Sequence, residues 1–236
     1  MWEALQDNLS FVVVAALIVA VIALAAKFSE RFFKQLHKLR PARRICIVAI
    51  CGAIAAVLHM LDFPLPFLAP GFYKLDFSEL PVMLCGFYLG PSAAVSCEVI
   101  KILLKLLFKS TSTAFVGDFA NFVVGCSLVL PATILYHTGK SKASALWGCV
   151  AGTLVMTVFG SAFNAVYLLP KFSQLYGLPL DAIIGMGADI NSGITNVSTF
   201  VLLAVAPLNL IKGAMISVLT ILLYKKVARP LFGRSE

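Results

Sequence analysis

The sequence predicts an all-α integral membrane protein: a core of six transmembrane helices preceded by one extra N-terminal transmembrane helix. Three observations predict it. The 236 residues are 60% hydrophobic and only 13% charged, and the mean hydropathy is +0.95, outside the range of water-soluble domains. The apolar residues gather into runs whose lengths suit a hydrocarbon core about 30 Å thick, which takes about 20 helical residues to cross. The basic residues fall in alternate loops, the pattern of a multi-pass protein.

A chain of this length supplies six or seven spans with short loops and leaves no room for a soluble domain. The net charge of +8 could mark a nucleic-acid binder only if the basic residues shared one solvated face. Their confinement to particular loops points to anionic lipid headgroups instead.

The first apolar run, residues 11–26, follows a segment carrying Glu3 and Asp7. A secretory signal begins with basic residues, so this run is expected to remain as an uncleaved helix. Residues 27–44 then carry Lys27, Arg31, Lys34, Lys38, Arg40, Arg43 and Arg44. The positive-inside rule puts them in the cytoplasm and the N-terminus outside. Residues 1–44 are therefore read as an extra helix with a basic cytoplasmic linker, and residues 45–236 as the six-helix membrane domain.

Further apolar runs occupy residues 45–61, 80–89, 92–108, 119–136, 146–169 and 198–224. Alternating sides from the first loop sends Lys140, Lys142, Lys225, Lys226, Arg229 and Arg234 inside and Asp62, Asp76, Glu79, Asp181 and Asp189 outside. The run 80–89 is short for a full span and ends at Gly90-Pro91, which predicts a tight turn into the next helix. Residues 170–197 read as a long outer loop because glycines alternate there with Asp189, Asn191 and Asn196.

Polar groups inside a membrane are costly, so depth selects candidates for function. At 1.5 Å per residue, Lys212 lies roughly 20 Å above the inner end of its helix, Asn164 roughly 25 Å and Asn121 roughly 22 Å. Three helices thus bring polar side chains to one height in the outer half of the bilayer. Asn209 shares a helical face with Lys212 by its i, i+3 spacing. The asparagines could equally bridge helices by hydrogen bonding, whereas Lys212 is too deep to reach water easily. A lysine beside carboxamides suits a neutral aromatic edge carrying carbonyl acceptors and an imide donor.

A second polar cluster, Tyr73, Lys74, Leu75 and Asp76, leads into Ser78, which is placed to cap a helix. Glu98, Lys101 and Lys105 form a stripe on one helix, explained by mutual pairing and snorkelling. Small residues at Ala49 and Ala53, at Gly52 and Ala56, and at Gly148 and Gly152 permit close helix approach. Six cysteines lie in apolar stretches without a C-x-x-C pair and read as buried packing residues. His37, His59 and His137 are scattered, so neither a metal site nor a cofactor is expected. Gly139-Lys140-Ser141 imitates the end of a phosphate-binding loop, but Ile134 stands where that motif needs glycine.

Three segments carry a resemblance: Tyr73-Lys-Leu-Asp-Phe-Ser-Glu-Leu-Pro81, Gly117-Asp-Phe-Ala-Asn-Phe122 and Ala206-Pro-Leu-Asn-Leu-Ile-Lys-Gly213. Over roughly residues 45–224 the sequence resembles the substrate-binding S components of energy-coupling factor (ECF) transporters, and among them the riboflavin-specific members. The resemblance implies a six-helix core in the cell membrane that captures a vitamin from outside and joins a transmembrane coupling subunit and two ATPase subunits. It implies that Asn164 and Lys212 hold the flavin ring, with further contacts from Tyr73 to Asp76 and from Thr113 through Gly117 to Asn121. It also implies docking of the coupling subunit on Ala49 and Ala53. The first helix and the length of segment 170–197 depart from the family's usual pattern.

Three other readings stand beside this one. The same architecture could take another vitamin or a modified flavin. An integral membrane enzyme would need acid–base pairs near the headgroups, and Asp118 and Glu98 read as the only acids within the spans. A secondary transporter would show inverted repeats, which the hydropathy pattern lacks.

Overall fold

A computed structural model of the chain describes residues 2–33, 40–111 and 113–232. Lys34, His37, Lys38 and Arg234 lie outside the described residues, as do the side chains of Glu3, Asp7, Lys225 and Arg229.

Helix α1 (Trp2–Glu30) is followed by α2 (Pro41–Met60), a short hairpin of β1 (Phe63–Pro64) and β2 (Lys74–Leu75), α3 (Glu79–Leu89) and α4 (Pro91–Phe108). Then come α5 (Val116–Gly139), α6 (Lys142–Phe163), α7 (Leu169–Tyr176), α8 (Leu180–Ala188), α9 (Val197–Phe200) and α10 (Ala206–Phe232). Pro41 and Pro91 open their helices, where the missing amide proton removes no hydrogen bond. Gly90 adopts φ +106, open to a residue without a Cβ, and turns α3 into α4 as the Gly90-Pro91 pair predicts.

Among the described residues, five helical stretches are long and apolar enough to cross a membrane: Val13–Glu30, Pro41–Met60, Val116–Gly139, Lys142–Tyr176 and Val197–Tyr224. Two of the seven expected spans fall short of that standard. With 11 residues, α3 reaches only about 16 Å, and α4 carries Glu98, Lys101 and Lys105. Leu17, Val21, Ile50, Val57, Val158, Val166, Leu202 and Leu222 are all more than half exposed, an apolar surface that lipid covers and water would not.

Close helix contacts follow the small residues. A Cβ on Gly148 would stand 2.5 Å from the carbonyl oxygen of Ala132, and one on Gly152 2.4 Å from that of Leu128, so α6 lies directly against the backbone of α5. Gly52 and Ala56 are buried, Gly52 against Ile100 of α4. Ala49 and Ala53, on the neighbouring side of α2, are exposed. Helix α1 packs its Ala15, Ile18, Val19 and Ile22 side onto Val95, Ile102, Phe119 and Phe122 of α4 and α5. Its C-terminal end is pinned where Glu30 Oε1 accepts the Ser92 amide at 2.9 Å.

Two expectations are corrected here. Residues 170–197 form mostly helix instead of an irregular loop: α7 prolongs α6, and α8 packs beside it. The reason is burial, since Leu169, Phe172, Ile183, Ile184 and Ile194 form one apolar cluster with Phe200, and Pro170 falls where a helix tolerates proline. Among the cysteines, Cys46 is exposed whereas Cys51, Cys85, Cys97, Cys126 and Cys149 are buried.

The long helices widen at two places. Asn164–Leu168 joins α6 to α7, and Val201–Val205 joins α9 to α10, each as a π-helical turn. A proline follows each by two residues, Pro170 and Pro207. Proline lacks a donor and crowds the preceding turn, and π turns recur at functional positions in helices. The two wide turns touch each other, and Asn164 begins the first.

Candidate ligand-binding site

A cavity of about 140 Å³ opens between α5, the wide turn that follows α6, α7, α10 and the loop that contains the hairpin. Helix α5 contributes Gly117, Ala120, Asn121, Val124 and Gly125, one face by their i, i+3, i+4 recurrence. Asn164 and Leu168 come from the first wide turn, Phe172 from α7, and Leu208, Asn209 and Lys212 from α10. Phe72, Tyr73 and Lys74 form the roof.

The hairpin fixes that roof. Phe63 pairs with Leu75 and Pro64 with Lys74, while Asp62 is held by Lys74 at 3.2 Å and Lys109 at 3.1 Å. Burial works to raise the Asp62 pKa, but hydrogen bonds from Lys109 and Lys74 outweigh it and leave the carboxyl below its ordinary value. Tyr73 Oη donates to Asn164 Oδ1 at 2.7 Å, and Asn164 Nδ2 donates to the Gly160 carbonyl at 2.8 Å. Burial pushes the Tyr73 phenol upward, so it remains a donor. The Phe72 ring packs edge-on against Phe172 with centroids 5.8 Å apart.

Of the residues selected from sequence, Tyr73, Lys74, Gly117, Asn121, Asn164, Asn209 and Lys212 surround this one cavity. Leu75, Asp76 and Thr113 do not line it. Leu75 is buried beneath the hairpin, and Thr113 Oγ1 accepts the Gly117 amide at 3.0 Å, fixing the start of α5. Asp76 lies under the roof, with its Oδ2 3.1 Å from Lys212 Nζ.

The electrostatics differ from the sequence-based expectation in one main respect. Asp76 and Glu79 are 1% exposed, so Asp118 and Glu98 are not the only acids within the bundle. Lys212 Nζ is 3.1 Å from Asp76 and 3.0 Å from Glu79 Oε2, and Asp76 is 3.3 Å from His59 Nδ1. Ser78 does not cap α3 with its side chain. Asp76 Oδ1 accepts the Ser78 amide at 2.8 Å, and the Ser78 hydroxyl accepts from Lys101 at 3.2 Å. Nor does the Glu98, Lys101 and Lys105 stripe pair only within itself: Lys105 bonds Asp118 of α5 at 2.5 Å.

The burial of Asp76 and Glu79 had a signal in the sequence. The run 80–89 is too short to reach the outer surface from Gly90, so the residues just before it lie about mid-membrane, level with Lys212. Phe72 and Phe172 carried no comparable signal, because an aromatic residue in a loop sequence does not show which wall it joins.

Asn121 and Asn209 line the cavity, and their buried Oδ1 and Nδ2 atoms have no hydrogen-bond partner among the described residues. The cavity is thus lined by carboxamides and by a cation already countered by two carboxylates, set between aromatic and aliphatic walls. Such a lining accepts a flat, uncharged, hydrogen-bonding guest.

An apolar helical bundle wrapped around this cavity defines a membrane protein with a small-molecule chamber. The family model described as ECF transporter, substrate-specific component, matches residues 43–224. The riboflavin transporter RibU of Staphylococcus aureus is 36% identical over 186 residues, covering 79% of this chain and 90% of the relative. The riboflavin transporter FmnP of Bacillus subtilis is 30% identical over 186 residues, covering 78% and 92%. A solved structure of the S component of a bacterial ECF transporter superposes with a TM-score of 0.63 at 35% identity, covering 80% of this chain and 97% of that one. The chain belongs to the substrate-specific components of ECF transporters. These relatives are transporters and not enzymes.

Proposed function

We propose that this chain captures riboflavin from outside the cell and hands it to an ATP-driven module composed of a transmembrane coupling subunit and two ATPase subunits. The observation that carries the reading is the convergence of Lys212, Asn209, Asn121 and Asn164 on one cavity roofed by Tyr73. An isoalloxazine ring offers the flat apolar faces that Phe72, Phe172, Leu168 and Leu208 accept. Its carbonyl and imide edge supplies acceptors for Lys212 and Asn209 and a donor for Asn121. That RibU and FmnP are riboflavin transporters supports the reading.

A cavity of about 140 Å³ is smaller than the roughly 300 Å³ at which ligand pockets begin. In this reading Tyr73 swings off Asn164 as the flavin enters, and Asn164 Oδ1 then meets the ligand. Riboflavin is cargo, and no cofactor is required.

Helices α2, α3, α4, α5, α6 and α10 make the six-helix core in this reading, and α1 is the additional span. Residues 1–44 and 45–236 are accordingly the extra helix with its linker and the binding domain. The N-terminus lies outside and the C-terminus in the cytoplasm. The exposed Ala49 and Ala53 face of α2 receives the coupling subunit by close helix approach.

The test is titration of the purified protein with riboflavin, followed by quenching of flavin fluorescence, beside Lys212→Ala and Asn164→Ala. Tight binding by the wild type and loss in both variants is expected. A colourless wild-type preparation that quenches nothing, or unaltered binding in both variants, overturns the reading.

A further inference from the structure

Lys101 lines no part of the cavity, yet it is among the largest fully buried side chains of the protein. It projects from α4 with Nζ 2.6 Å from Glu98 Oε2, 3.2 Å from Glu79 Oε1 and 3.2 Å from Ser78 Oγ. An ammonium has three N–H donors and no acceptor. Ser78 and Glu79 each accept one of them, and Glu98 is ion-paired with the same nitrogen.

Glu79 connects this lysine to the cavity. Its Oε1 and Oε2 lie 3.1 and 3.0 Å from Lys212 Nζ, and Asp76 Oδ2 lies 3.1 Å from the same nitrogen. Lys212 can direct one N–H to each of these two carboxylates and keep its third for the cavity. That division depends on Glu79 drawing part of its compensation from elsewhere. A carboxylate sealed from water is costly unless paired. Without Lys101, the carboxylates of Asp76, Glu79 and Glu98 would be left with Lys212 as the one lysine of the cluster, and the remaining donor of Lys212 would turn from the cavity to Glu79.

We infer that Lys101 is a positioning residue for ligand capture: acting through Glu79, it keeps one donor of Lys212 facing the cavity. The inference rests on the reading of Lys212 as a ligand contact. Glu98 fixes Lys101 in place, and Gly125 makes room for it, since a Cβ there would stand 2.9 Å from Glu98 Oε1.

The test uses the purified full-length chain and riboflavin fluorescence quenching with wild type, Lys212→Ala, Lys101→Met and the double variant E79Q/K101M. Lys101→Met is expected to weaken binding about tenfold or more, the size of one charge-assisted hydrogen bond. The double variant removes one carboxylate along with the lysine, which returns the cluster of Asp76, Glu79, Glu98, Lys101 and Lys212 to its wild-type net charge, and it is expected to recover affinity to within about threefold of wild type. If Lys101 only filled space, the second substitution would restore nothing.

Wild-type affinity in Lys101→Met, or a double variant no tighter than the single one, overturns the inference and leaves the proposed function standing. Should Lys101→Met fail to fold, the double variant decides alone: near-native affinity supports the inference and lost affinity sinks it. A wild type that binds no riboflavin, or Lys212→Ala binding as wild type does, overturns the reading of the cavity and this inference with it.

Discussion

Tyr73 Oη donates a hydrogen bond of 2.7 Å to Asn164 Oδ1, joining the roof loop to the wide turn of the α6–α7 helix. Asn164 Nδ2 in turn donates to the Gly160 carbonyl, so its carboxamide is held at both ends. A ligand that reaches Asn164 Oδ1 therefore shares it with the Tyr73 phenol or displaces the phenol.

Removing the phenol oxygen should ease opening. A neutral hydrogen bond contributes about 1 kcal/mol net, so Tyr73→Phe is expected to raise the association rate of riboflavin roughly fivefold. Stopped-flow quenching of flavin fluorescence measures it. A rate equal to wild type would show that the bond does not gate the cavity.

Gly152 tests the packing that sets the cavity's width. A methyl group there meets the Leu128 carbonyl oxygen at 2.4 Å, and backbone cannot rotate away as a side chain can. Gly152→Ala should force α5 from α6 at a cost of about 1–3 kcal/mol, seen as a lower midpoint in thermal unfolding in detergent. A midpoint matching wild type would mean that the helices are less closely apposed.

Asp62 gives the roof a pH dependence. Its pKa is held below the ordinary carboxylate value by Lys109 and Lys74 against the effect of burial. A depressed carboxylate stabilises the folded state wherever it is ionised, in full above the unfolded value near about 4, and loses that contribution as pH falls through the lower native value. Asp62→Asn should therefore lower the unfolding midpoint at pH 7, and the gap from wild type should close on acidification below about pH 4. A gap that persists in acid would assign the effect to something other than the charge.

The two exposed alanines of α2 offer a test of the proposed docking surface. Ala49→Leu with Ala53→Leu should leave riboflavin affinity unchanged, since neither residue lies near the cavity, while abolishing co-purification with the coupling subunit. Co-purification at the wild-type level would move the docking surface elsewhere.

Much of the architecture was legible before any coordinates. Helical rise alone put Asn121, Asn164 and Lys212 at one height, because depth along a straight helix is a count of residues. Spacing alone paired Asn209 with Lys212 and matched Gly148 with Gly152. The segment 170–197 was misjudged because its glycines and asparagines look like loop, and the apolar partners that make it helical are contributed by Phe200 and its neighbours from another part of the chain.

What the sequence determined by itself is the class of protein: a lipid-embedded helical bundle with polar side chains at a shared depth, since hydrophobic length and helical rise are local properties. What only the tertiary structure decided is how the charges are compensated. Lys212 is countered by Asp76 and Glu79, and Glu79 in turn by Lys101, partners drawn from the hairpin loop, α3, α4 and α10. Ion pairs act over a few ångströms of space whatever the separation along the chain, so a linear pattern names the charged residues but cannot match them.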